Sequence, residues 1–107
     1  MDESEFNVLA EAELARIEAA LERCGVEMDV DARPGGILEV EFDDGSKLVI
    51  NRHSAAREIW VAARSGGFHF RLTEGLWFSA RTGEQLYQCL ARVISEQSGE
   101  QVTLMPE

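Results

Sequence analysis

The feature that most constrains this chain is a hydrophobic period that changes twice. Phe6, Ala10, Leu14, Ile17, Leu21 and Cys24 recur at helical spacing, which predicts one amphipathic helix over 4–24. Ser4 is placed to cap it and Gly25 to stop it. From Val26 the period drops to two: Val26, Met28 and Val30 alternate with Glu27, Asp29 and Asp31, as in a half-buried strand. Near the end the helical spacing returns, with Leu86, Leu90, Val93 and Ile94 forming a second stripe that ends near Gly99. The stretch TGEQ (82–85) predicts a capping box of Thr82 with Gln85 at its start.

Short turns fill the gap between the two helices. RPGG (33–36) separates the first strand from 37–42, where Leu38, Val40 and Phe42 take one face. DDGS (43–46) is a hairpin signal leading into 47–51. A strand over 57–63, a tight turn at SGG (65–67), a fifth strand over 68–72 and a short one at 76–78 follow. Such connections suit antiparallel neighbours. The expected fold is α+β: a two-layer α-β sandwich, with the N- and C-terminal helices on one face of a five- to six-stranded antiparallel sheet. Residues 1–107 form a single domain on this reading. The second sheet face is left for solvent or a partner.

Charge narrows the partners. Twenty acids against ten Lys and Arg give a net charge of −10. Nucleic acid and anionic membrane are disfavoured, and cations or a basic protein patch are the natural partners. No apolar run is long enough to span a membrane, and the acidic start MDESEF is the reverse of a targeting segment. Cys24 and Cys89 form no CxxC and are expected as free thiols. A cytoplasmic location is expected.

The acids are placed against local preference. LERCGVEMDVD (21–31) runs carboxylates past a helix C-terminus, where they oppose the dipole, and into a strand, where Asp is depleted. Glu11, Glu18 and Glu22 share one helix face. Glu27, Asp29 and Asp31 share one strand face, with neighbours about 6–7 Å apart. That spacing is too wide for one tight cage. It suits hydrated hard cations that touch one or two carboxylates each, with poor selectivity among iron, Mn²⁺, Ca²⁺ and Mg²⁺. The bland alternative is a solvated face.

The order of elements, with DDGSKLVINR, IWVA, GGFHF and RTGE in sequence, resembles the frataxin family, and its bacterial members most. The densest matches are Gly45-Ser46-Lys47, Asn51-Arg52, Ile59-Trp60-Val61-Ala62, Gly66-Gly67-Phe68-His69-Phe70 and Arg81-Thr82-Gly83. The resemblance implies an α-β sandwich that is not an enzyme. It implies weakly bound Fe²⁺ or Fe³⁺ on carboxylates of the first helix and strand, here Glu11, Glu18, Glu22, Glu27, Asp29 and Asp31. It further implies contact with a cysteine desulfurase and its scaffold partner, and a role in iron–sulfur cluster assembly as iron donor or iron-dependent regulator. Many bacterial members carry further acids where this chain has Ala19, Ala20 and Arg23, so a thinner ridge is expected.

Two partner surfaces follow. Glu18 and Glu22 would dock on a basic patch. If Ile59, Val61 and Ala63 face the helices, Trp60 faces out, a candidate anchor on an open sheet. The resemblance places Asn51 on the same surface and puts Glu58 where the family often has Gln. Trp77 is read as core, His53 as a loop residue and His69 as outward-facing; neither His is expected to hold iron tightly, and a secondary metal or haem contact at His69 stays open. No phosphate loop or nucleophile motif is present. A monomer is expected, with iron-dependent association as the alternative. Rival readings are a metal-independent acidic interaction module and a ferroxidase. The ferroxidase would need the Glu-x-x-His pairs that this sequence lacks.

Overall fold

A computed structural model describes residues 1–106. The order is α1 (Glu3–Arg23), β1 (Met28–Arg33), β2 (Ile37–Phe42), β3 (Lys47–His53), β4 (Glu58–Ala63), β5 (Gly66–Thr73), β6 (Leu76–Phe78) and α2 (Leu86–Ser98). Each strand pairs antiparallel with the next, giving a six-stranded meander in sequence order. The α+β sandwich expected from the period changes is the fold observed.

Strand limits are set by the partners. β1 begins at Met28, two residues later than the alternation suggests, because Met28 faces Phe42, the last residue of β2, and no β2 residue remains to pair with Val26. β1 runs on through Arg33, part of the RPGG turn signal, because Ile37 pairs with it. β3 extends to His53, expected in a loop, because Glu58 of β4 supplies its partner.

The helix starts differ from expectation. Asp2, not Ser4, caps α1: its carboxylate accepts the Glu5 N–H at 2.8 Å, and Glu5 accepts the Asp2 N–H in return. A charged cap satisfies a free N–H and also meets the positive end of the helix dipole, which a serine cannot do. At the far end Cys24 is the C-cap and Gly25, at φ +84, turns the chain out of the helix. α2 is capped by Gln85 with Gln88 rather than by Thr82 with Gln85. Gly83 sits at φ +75 between Thr82 and the helix, so Thr82 instead accepts the Glu84 N–H within the preceding turn.

One face of the sheet is buried. Leu38, Val40, Phe42, Leu48, Ile50, Ile59, Val61 and Phe70 point to the helices and pack with Phe6, Ile17, Leu21, Leu86, Leu90 and Ile94. Trp77 belongs to this core, edge-on to Phe6 with ring centres 6.0 Å apart. Glu13 is a buried carboxylate that ties both helices to the sheet. It accepts hydrogen bonds from the Trp77 indole at 3.2 Å, from the Tyr87 hydroxyl of α2 and from Arg16 at 2.9 Å. Gln97 pins the end of α2 to the Ser46 hydroxyl, the Lys47 carbonyl and the Arg64 N–H. Both cysteines are free; burial, and then the nearby Glu84 charge, push the Cys89 thiol up to about 12. No helix among the described residues is long and apolar enough to cross a membrane.

Candidate functional site

Two surfaces carry the candidate residues. The first is the acidic edge where α1 meets β1. Its helix half consists of Glu11 and Glu22, which are exposed, and Glu18, which is half-buried. Beyond the α1 cap, Glu27, Asp29 and Asp31 are exposed while Met28 and Val30 turn inward, so the period of two is kept through this stretch. Some of these acids already have cations. Glu11 accepts from Arg52 at 2.8 Å, and Asp31 lies 3.3 Å from Arg33. Among the described residues Glu18, Glu22, Glu27 and Asp29 have no ion pair.

Register adds two acids that sequence reasoning missed. Asp29 lies directly opposite Glu41, and Asp31 directly opposite Glu39. Cβ atoms of opposed residues stand about 4.5–5.5 Å apart, where like charges repel. Arg33 at 3.3 Å and Lys47 at 3.6 Å offset the charge of Glu39. The Asp29–Glu41 pair makes no ion pair among the described residues, although Lys47 lies opposite Glu41 across the β2–β3 ladder with its ammonium on Glu39. The alternation of 37–42 already put both glutamates on the open face. Pairing them with β1 also required the register fixed by the turn at 34–36.

The donors on this edge are carboxylate oxygens, hard ligands suited to hard cations. Among the described residues no three His, Cys, Asp or Glu side chains converge on one point. The arrangement can therefore hold a cation through one or two carboxylates with water completing the shell, or oppose a row of basic side chains.

The second surface is the open sheet face. Asn51, Trp60 and His69 lie side by side on β3, β4 and β5. Trp60 faces away from the helices, opposite to the buried Ile59 and Val61. Its indole is sandwiched between two imidazoles: His53 at 3.8 Å between centres and 14° between planes, and His69 at 4.3 Å and 7°. The indole N–H donates to Glu58 at 2.8 Å. The other Glu58 oxygen accepts from Arg71 at 2.8 Å, and His69 Nδ1 stands 3.5 Å from the carboxylate. His53 Nδ1 accepts the Ala56 N–H at 3.2 Å, which orients that ring. The Asn51 side chain donates to the Arg52 carbonyl at 3.2 Å. An anchor held on both faces and at its N–H loses little freedom on docking. The outward face of Trp60 is legible in the sequence, whereas the clamp around it is not. His53 joins them only because β3 runs two residues further than expected.

Burial pushes the Glu58 carboxyl up, but hydrogen bonds from Arg71 and the Trp60 indole outweigh it and hold the group below its ordinary value. A depressed folded-state value contributes stability above the unfolded carboxyl range, and that contribution is lost as pH falls through the folded value. The Trp60 indole N–H resonance is expected to move as pH drops below about 4, the ordinary glutamate range. Glu58→Gln should abolish that step, and a resonance equally pH-dependent in the variant would show that Glu58 does not govern the clamp.

Known proteins resemble this chain along nearly its whole length. A family model described as the frataxin-like domain matches residues 1–100. The iron-sulfur cluster assembly protein CyaY of Dechloromonas aromatica is 54% identical over 104 residues, covering 97% of this chain and 99% of that one. Among solved structures, frataxin from Psychromonas ingrahamii superposes with a TM-score of 0.87 at 33% identity, covering 96% of this chain and 97% of the other. Trimeric frataxin from the yeast Saccharomyces cerevisiae, in a ferrous complex, superposes with a TM-score of 0.66 at 26% identity, covering 90% and 87%.

Proposed function

The chain belongs to the frataxin-like family, and we propose that it serves iron–sulfur cluster assembly as a weak iron-binding protein that regulates a cysteine desulfurase and its scaffold. Glu11, Glu18, Glu22, Glu27, Asp29 and Asp31 would hold Fe²⁺ or Fe³⁺ in a largely hydrated state, and other divalent cations with little discrimination. Glu18 and Glu22 would meet a basic patch of the desulfurase, while Trp60 and Asn51 touch the complex from the sheet. The protein acts by binding and catalyses no reaction of its own.

The observation that carries this reading is the set of four exposed or half-exposed acids, Glu18, Glu22, Glu27 and Asp29, that make no ion pair among the described residues where α1 meets β1. Like charges set opposite one another, as Asp29 and Glu41 are, cost the fold a few tenths of a kcal/mol per pair, which a bound cation or a basic partner removes. Arg52 and Arg33 occupy the ridge's flanks, so capacity is expected to centre on those four.

A second reading, a metal-independent acidic interaction module, is favoured by one fact: no three donors converge among the described residues. Desulfurase affinity measured with and without Fe²⁺, under anaerobic conditions, separates the two. Metal and partner on one surface should compete, so the apparent Kd is expected to rise severalfold when iron is added. An affinity indifferent to iron would favour the metal-independent module.

A further inference from the structure

The ladder between β5 and β6 covers only Arg71–Thr73 on the β5 side. Past Phe78 the chain leaves β5 and closes a turn, with the Ser79 N–H on the Glu84 carbonyl at 2.9 Å and the Gly83 N–H on the Ser79 carbonyl at 2.8 Å. A cleft of about 220 Å³ opens between that turn and the exposed residues Gly67, His69 and Arg71 of β5. Arg81 overhangs it, its guanidinium 3.4 Å from the Gly67 carbonyl and, among the described residues, without a carboxylate partner. Arg71 spends its Nε on Glu58 and remains 64% exposed. Two guanidiniums and an imidazole thus face a single carboxylate, in a chain whose net charge is −10.

From this cleft we infer a socket for an acidic side chain of a protein partner, delivered on an extended segment. Carboxylates match the planar fork of a guanidinium. The walls come from a strand and a turn rather than from a helix N-terminus, the usual phosphate cradle. The volume admits a side chain, not a folded element. The cleft is continuous with His69, which stacks on Trp60, so a segment seated here runs on to the indole. On the same sheet face β1 and β2 carry Asp29, Asp31, Glu39 and Glu41, which would repel an acidic segment and so fix the direction in which it lies. The ridge takes cations and basic patches; this socket takes the opposite charge.

The test is an NMR titration of the ¹⁵N-labelled chain, free of metal and of desulfurase, so that its failure leaves the ridge reading untouched. The probes are the capped peptide acetyl-GEDEG-amide and inorganic phosphate at matched ionic strength. Saturable shifts at the Gly67 and His69 amides and at the Arg71 and Arg81 Nε–H groups are expected with the peptide. Binding should weaken about tenfold in Arg81→Gln, the loss of one charge-assisted contact. Arg81 is exposed, and unchanged core resonances would show the variant folded. Absence of saturation at millimolar peptide, an equal response to phosphate, or undiminished binding in Arg81→Gln would each overturn the proposal.

Discussion

The double substitution Glu18→Lys with Glu22→Lys is expected to weaken desulfurase binding by about ten- to a hundredfold at low salt and to flatten its salt dependence. Both side chains reach solvent and, among the described residues, neither has a cation of its own. Reversing them would place like charges against a basic patch. The same change should leave the fold intact or raise its stability by a few tenths of a kcal/mol, because lysine near the end of α1 favours the dipole that glutamate opposes. Loss of binding without loss of stability is therefore the signature, read by isothermal titration across a salt series beside thermal melts. Affinity unchanged at every salt concentration would remove the ridge from the docking surface.

Glu13→Ala is expected to cost about 3 kcal/mol of stability. The substitution leaves the Tyr87 hydroxyl and the Trp77 indole N–H, both in the core, without their acceptor and opens a cavity beside them. For a domain of this length the midpoint of thermal unfolding should fall by about 10 °C or more. Glu13→Gln keeps one acceptor and the side-chain volume, so it should lose less. A loss below about 1 kcal/mol for the alanine variant would mean that water replaces the carboxylate and that Glu13 does not tie the helices to the sheet.

The fold was legible because two periodicities, 3.6 and 2, divide the chain without overlap. Antiparallel order followed from turns too short for crossovers, with the strand number left at five or six. The outward face of Trp60 followed from its place between Ile59 and Val61. What local sequence could not give was pairing. Whether Val26 or Met28 opens β1 depends on where β2 ends, and whether His53 is loop or strand depends on Glu58 across the ladder. The same blindness to register hid Glu39 and Glu41 beside the ridge. Caps failed for a related reason: Ser4 and Thr82 are good cap residues, but Asp2 offers a charge and Gly83 interrupts the backbone. The buried Glu13 gave no local signal, since a lone glutamate on the core face of a helix becomes meaningful only with Trp77 and Tyr87 around it.

The central claim is that the acidic edge of α1 and β1 binds iron. An anaerobic Fe²⁺ titration of the ¹⁵N-labelled chain, followed residue by residue by NMR, tests it most directly. Selective broadening is expected at Glu18, Glu22, Glu27, Asp29 and Asp31, with the Glu39 and Glu41 amides affected through their register with β1 and the cleft between β5 and the 79–81 turn unaffected. No selective broadening at millimolar iron would contradict it and leave the acids to a protein partner alone.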